Sequence, residues 1–294
     1  MQVTEISHPD KVLFPDTGIT KRQLADYYVR IADHLLPHVA GRPLVLERFP
    51  DGIDGPGFFQ KNTPDHVPTT IERVAVDKAD GGTTRYAVID DVDDLVYLAD
   101  QAAIVLHTLL TRADAPERPV EVVFDLDPSS ADLDPVRETA RALRDVLDGL
   151  GLAPRVKSSG SRGLHVVVDV IDAAADFDLT KSFAREVATT IAERRDDVTI
   201  EQRKNRRHGR LFLDVLRNAP VNHAVAPYSV RALPTAPIAA PLDWDEALAA
   251  SFEPQRITLG NVFRRLGQRH DPWASPPRPS STIADARAAL ANGG

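Results

Sequence analysis

Two carboxylates one residue apart, Asp125 and Asp127 of FDLDP (124–128), end an apolar run, Val120 to Val123, that only Glu121 interrupts. Residues two apart in a strand share a face, so the two acids stand side by side. Like charges that close raise each other's pKa unless something positive sits between them. Pro128 stops the strand and leaves the pair at its exposed end. A divalent metal ion is the simplest counter-charge, although a lone Asp-x-Asp is as readily a solvated turn. A third carboxylate, Asp214 of LFLDV (211–215), lies in another apolar strand, where an unpaired charge is costly. Three carboxylates on neighbouring strands suit two-ion phosphoryl transfer, because Mg²⁺ and Mn²⁺ prefer hard oxygen ligands. The plainer alternative is a buried ion pair from Asp214 to one of Arg203 to Arg210. Between the acidic strands lies SSGSRGLH (158–165), a loop whose amides, hydroxyls, guanidinium and imidazole could cradle a triphosphate.

The elements that must position these groups read as mixed α/β. Thr20 to Gln23 forms a capping box, and Leu24, Tyr27, Tyr28, Ile31 and Leu35 follow at helical spacing towards Pro37. PLVLERFPDGIDGPGFFQK (43–61) reads as strand, turn and second extended piece. A helix is expected over 94–110, and Asp134-Pro135 is expected to cap another bearing Val136, Ala140, Leu143 and Leu147. Residues 155–170 read as strand, polar glycine loop and strand. Thr180 is expected to open a helix with Phe183, Val187 and Ile191, and 210–216 reads as a strand. From Asp271 the chain is rich in Pro, Ser and Ala and ends in ADARAALANGG, which could form at most a short helix. One compact unit over 1–270, with two lobes, followed by a tail over 271–294, is the expected organisation.

With 294 residues the chain can bury an ample core, and its 43% hydrophobic and 27% charged content is that of an ordinary globular protein. No apolar run approaches the ~18 residues of a membrane span. MQVTEISHPD has no basic-then-apolar signal pattern, so the expected location is the cytoplasm, with association to the nucleoid when DNA is bound. Zero cysteines exclude disulfides, thiolate zinc sites and a cysteine nucleophile. A formal charge of −8 argues against a partner gripped by bulk charge, so any nucleic-acid contact must come from local patches such as RKNRRHGR (203–210).

The order of acidic pair, Gly-Ser-basic-Gly-Leu-His hairpin and acidic strand resembles the polymerase domain of bacterial ATP-dependent DNA ligase D, a branch of the archaeo-eukaryotic primase superfamily. The matching segments are DKVLFPDTGITK (10–21), RFPDGIDGPGFFQK (48–61), DQAAIVLH (100–107), FDLDP (124–128), SGSRGLH (159–165), LFLDV (211–215) and APYSVR (226–231), nearly end to end. The resemblance implies a two-lobed primase-polymerase fold with an RRM-like antiparallel sheet carrying the aspartates. It implies template-dependent addition of nucleotides, ribonucleotides by preference, to DNA 3′ ends in gap filling or end joining. Two divalent ions, Mn²⁺ or Mg²⁺, would be held by Asp125, Asp127 and Asp214. Ser159, Ser161, Arg162, His165 and Arg231 would hold the triphosphate, His107 would lie near the sugar, and Arg48 and Lys61 would line the cleft. Phe58 and Phe59 would stack on bases, one of the two being expected in the core. Arg203, Lys204, Arg206 and Arg207 would meet DNA. Lys11 and Lys21, with His8 as a further donor, would grip a 5′-phosphate across a gap, aided by free amides of the helix that Thr20 opens. Gapped or broken DNA bearing a 5′-phosphate, NTP or dNTP, Ku and a DNA ligase are the implied partners. Glu47, at a position basic in some relatives, and Arg217, in place of a polar residue after the third aspartate, depart from the pattern.

Two rivals remain on the residues alone. One is a haloacid-dehalogenase-type phosphatase, whose Asp-x-Asp supplies nucleophile and acid but normally opens its domain. The other is a DNA-end-binding module that kept the fold and lost the chemistry, which three intact carboxylates oppose. Lys78-Ala-Asp-Gly81 spells the Lys-x-Asp-Gly of nucleotidyl ligases, a match too short to outweigh the absence of downstream ligase motifs.

Overall fold

The computed structural model of the chain describes residues 5–78 and 81–292. They form two compact units. The first takes in residues up to Asp114 with His223–Ala240 and Ile257–His270; the second takes in Ala115–Asn222, Pro241–Arg256 and the residues from Asp271 onward. The middle of Lys78–Gly81 lies outside the described residues.

In the first unit a six-stranded antiparallel sheet runs His223–Val225, Ala103–Leu109, Leu44–Arg48, Thr83–Val88, Glu72–Asp77, with Phe58–Gln60 also paired to Leu44–Arg48. The helix Lys21–Val39 has the expected capping box, Thr20 Oγ1 accepting from Gln23 N, and it buries Leu24, Tyr27, Tyr28, Ile31 and Leu35. The helix expected over 94–110 is instead a helix, Val92–Asp100, and a strand, Ala103–Leu109. Ala102, at φ 53°, turns the chain between them, and every residue of the strand is buried, so its apolar run has no polar alternation to betray it.

The second unit is a six-stranded sheet in the order Val198–Thr199, Leu211–Asp214, Glu121–Asp127, Leu164–Asp169, Arg155–Ser158, Pro241–Leu242. All its pairs are antiparallel except the first. Helices Asp134–Gly149 and Phe177–Arg194 pack on it. Their start signals differ from expectation by a few residues. Leu133, without a side-chain cap, precedes the first helix, and Asp176, accepting from Leu179 N, caps the second four residues before Thr180. Val122, Phe124 and Leu126 are buried along one face of the central strand, each such side chain contributing roughly 1.5–3 kcal/mol. The alternate positions, Val123, Asp125 and Asp127, belong to the other face.

The Pro- and Ala-rich segment stays with this unit. Trp273 is buried and its Nε1 donates to Val156 O at 3.1 Å. The helix Ile283–Asn292 packs against Phe177–Arg194, with Arg287 paired to Glu186 at 2.7 Å.

Candidate active site

Strand register assembles the acidic site. Asp125 lies directly opposite Asp214 on one side and His165 on the other, and His165 in turn lies opposite Lys157. Directly opposed residues of paired strands share a face, so Asp214, Asp125, His165 and Lys157 form a row across four strands, with Asp127 one step along the central strand. His165 Nε2 stands 3.4 Å from Asp125 Oδ1. Asp125 is largely buried and its pKa is raised, chiefly by desolvation; Arg217 opposes the rise, while Asp214 and Asp127 add to it.

Guanidinium groups balance the acids in this structure. Arg217 sets Nε at 3.2 Å and Nη2 at 3.1 Å from Asp125 Oδ2. Arg162 Nη2 lies 2.7 Å from Asp127 Oδ1, and Arg207 Nη1 lies 3.7 Å from Asp127 Oδ2. The plainer reading of the acidic strand, an ion pair within 203–210, thus takes a different form. Arg207 meets Asp127 while stacking over Phe212 at 3.7 Å, and Asp214 accepts from Leu216 N at 2.8 Å. Arg203, Lys204 and Arg206 are exposed.

Asn218 explains why Arg217 stands where it does. The side chain is buried, accepting from Val123 N and donating to Val123 O, both at 2.8 Å, and donating to Val215 O at 2.9 Å. This clamp ties the turn after the Leu211–Asp214 strand to the strand of Asp125. The Ser-Gly loop is equally built. Ser159 Oγ accepts from Ser161 N at 3.2 Å and Gly163 N at 3.1 Å, and Gln255 Nε2 donates to Ser161 O at 2.9 Å. Two of the amides expected to face an anion are therefore spent on Ser159. Arg162 is 61% exposed at its side chain and remains accessible.

Among the described residues no three His, Asp or Glu side chains converge on one metal position. The donor chemistry nonetheless fits hard divalent ions, since Mg²⁺-type ions are commonly bound by one or two carboxylates plus substrate phosphates rather than an all-protein cage.

In the first unit, Glu47, Phe59, His107 and His223 gather on one face of the other sheet. The rings of His107 and His223 lie edge to face at 4.7 Å, and Phe59 is 5.8 Å from one and 5.9 Å from the other. Glu47 Oε2 lies 3.8 Å from His107 Nε2, and burial raises the Glu47 pKa against the pull of Arg231 and His223. Arg48 and Phe58 belong to the opposite face, the guanidinium 5.4 Å from the ring and donating to Gln101 O and Gln60 Oε1. The expectation that one phenylalanine is core is corrected: Phe58 is 46% and Phe59 54% exposed, because Phe58–Gln60 is an edge strand paired only to Leu44–Arg48. Lys61 is exposed, and Arg231 is partly exposed in this same unit.

At the N-terminal helix the groups expected to meet a phosphate have partners within the chain. Lys21 is buried and donates to Asp100 O at 2.8 Å and Ser7 Oγ at 3.2 Å, with Asp100 Oδ1 also at 3.2 Å. The amides of Lys21, Arg22 and Gln23 donate to Lys11 O, Pro9 O and Thr20 Oγ1, so the first turn holds its own loop. Lys11 is exposed and pairs with Asp51 at 2.9 Å, and His8, at φ 48°, is exposed as well.

Sequence reading passed over Lys157, His223 and Asn218. Lys157 had a signal, since counting back through the hairpin from His165 puts it on the same face. Asn218 had none beyond its turn, because its partner is the backbone of a distant strand.

Residues 20–273 match the family described as LigD, primase-polymerase domain. The multifunctional non-homologous end joining protein LigD of Mycolicibacterium smegmatis is 34% identical over 284 residues, covering 95% of this chain and 37% of that protein. The bifunctional LigD of Bacillus subtilis is 30% identical over 267 residues, covering 90% of this chain and 42% of that protein. The chain thus spans about two-fifths of the length of these relatives. The polymerase domain of Mycobacterium tuberculosis ligase D, solved in complex with DNA, superposes with a TM-score of 0.86 at 30% identity, covering 94% of this chain and 100% of that one. The phosphatase alternative falls with these matches, and the mixed α/β fold with antiparallel sheets agrees with the solved domain. The chain belongs to the LigD primase-polymerase domain family, and it is a polymerase domain of a family whose catalysis is metal-dependent.

Proposed function

We propose that this domain adds nucleotides, ribonucleotides by preference, to the 3′ ends of DNA under the direction of a template, filling gaps or extending broken ends. The observation that carries this reading is the register of Asp125 against Asp214 with Asp127 on the same face, three oxygen donors at the end of one sheet. Two divalent ions, Mn²⁺ preferred over Mg²⁺, would supply the charge that acidifies the primer hydroxyl and neutralises the leaving pyrophosphate. Asp125, Asp127 and Asp214 would hold them, and His165 would orient Asp125.

The remaining residues bind and position. Arg162, Ser161 and the loop they belong to offer donors to the triphosphate. Phe59, exposed beside His107, offers a stacking platform for a base, a contact worth about 1–3 kcal/mol. His107 would meet the 2′-hydroxyl, and a site built for that hydroxyl penalises its absence. Phe58 and Arg48 form a second platform, with Lys61 nearby in sequence. Arg203, Lys204 and Arg206 would contact DNA phosphates. Lys11, by leaving Asp51, and Lys21, by leaving Asp100, would reach a 5′-phosphate. We assign the polymerase function to 1–270 with 271–294 appended to it, expect Ku and a DNA ligase as partners in end joining, and place the protein in the cytoplasm, on the nucleoid when DNA-bound. Two facts support the DNA assignment: the M. tuberculosis domain is solved with DNA, and the relatives are named for end joining.

The test is incorporation on a gapped primer–template with and without a 5′-phosphate, with ATP and dATP in competition. Metal-dependent incorporation favouring ATP is expected; clear dATP preference would overturn the ribonucleotide assignment, and no incorporation under any metal would overturn the whole reading.

A further inference from the structure

Arg217 lies outside both the anion loop and the basic run, yet it makes a two-pronged contact with Asp125, the central one of the three aspartates in the sheet. Nε and Nη2 both address Asp125 Oδ2, while His165 faces Oδ1, so each carboxylate oxygen of Asp125 has a cationic or imidazole neighbour. The contact is built by the fold. Asn218 clamps the turn to Val123, and Leu216 N donates to Asp214 Oδ1, which fixes the backbone on either side of Arg217. The side chains differ in exposure, 37% for Arg217 against 14% for Asp125. The guanidinium can therefore withdraw towards solvent where the carboxylate cannot. A guanidinium also cannot yield by losing its proton, so it competes with any incoming cation as a full positive charge.

We infer that Arg217 is a resident counter-ion that holds Asp125 in the metal-free protein and must leave Oδ2 for Asp125 to take a divalent ion, so that it sets the metal affinity of the site. This rests on the assignment of the three aspartates as metal ligands. Once withdrawn from Asp125 Oδ2, Arg217 is a cation beside the site, and a triphosphate is the anion it would meet there. Nucleotide and metal are then coupled through this residue, each raising the affinity for the other by the same factor.

The test is Mn²⁺ binding by the full chain, read by titration calorimetry and by the paramagnetic resonance of free Mn²⁺, with and without a non-hydrolysable NTP analogue. Arg217→Gln is expected to bind Mn²⁺ alone about tenfold more tightly than wild type, equivalent to ~1.4 kcal/mol, and to show a smaller enhancement by the analogue. It is also expected to melt at lower temperature without metal, with the difference removed by saturating Mn²⁺. Arg217→Lys, whose single ammonium cannot reproduce the two-pronged hold, should shift in the same direction by less and serves where the glutamine variant does not fold. Equal or weaker Mn²⁺ binding by the substituted proteins would overturn the inference while leaving the metal site intact. Indistinguishable Mn²⁺ binding by wild type and Asp125→Asn would instead overturn the metal-ligand assignment itself, and the inference with it.

Discussion

Glu47 shows how a single partly buried carboxyl carries a cost that the fold absorbs. It is partly buried beside His107, and desolvation raises its pKa despite Arg231 and His223. A carboxyl whose folded pKa lies above its unfolded value binds more protons when folded, so its contribution to stability is present at low pH and is lost as pH rises through the folded value. Glu47→Gln should therefore raise the melting temperature at neutral pH, and the advantage should shrink as pH falls towards the ordinary glutamate range. Melting curves of both proteins across that range check it; an advantage independent of pH would show that packing, not ionisation, is responsible. Among the three aspartates the same burial acts on Asp125, but there Arg217 is the opposing charge.

At the scale of elements, the hairpin between Arg155–Ser158 and Leu164–Asp169 depends on Gly163. A Cβ at that position would collide with the carbonyl oxygen of Leu126 and crowd Pro128, both belonging to the segment that presents Asp127. Gly163→Ala should destabilise the protein by ~1–3 kcal/mol or displace the loop, and denaturant unfolding together with nucleotide affinity would register either. Asn218→Ala should cost about 1–3 kcal/mol by leaving Val123 N and O short of their partners, and should loosen the turn that carries Arg217. The chemistry-bearing elements were legible in the sequence because alternation and punctuation are strong around them. FDLDP, the glycine hairpin and LFLDV each place a carboxylate or loop at the end of a short strand, and all three are found there. The segment 94–110 was not legible, since AIVLHTL is buried on both faces and the turn before it is made by an alanine rather than a glycine. The Lys21 amides were misjudged for a related reason. A capping box announces the helix start, but nothing local in the sequence says that Pro9 O and Lys11 O will fold back to satisfy that start.

For the whole molecule, the proposed binding to a polyanion has to coexist with a formal charge of −8, so the attraction would be local. The exposed Arg203, Lys204 and Arg206 are the candidates. Each phosphate contact contributes roughly 0.9 to the slope of log K against log salt, so removing the three together should flatten that slope by about 2.7 for duplex DNA. An unchanged slope would exclude the run from the DNA interface. No helix among the described residues is long and apolar enough to cross a membrane. The central claim is that Asp125, Asp127 and Asp214 together hold the ions that make this domain a nucleotidyl transferase. Its most direct test is single-turnover incorporation of ATP onto a primer–template in Mn²⁺ by wild type and by Asp125→Ala, Asp127→Ala and Asp214→Ala, each first shown by its metal-free melt to be folded. Incorporation by wild type that vanishes on chelation, and loss to the metal-free background in all three variants with melts unchanged or higher, is the expected result. Substantial incorporation by any one of the three folded variants would contradict the assignment.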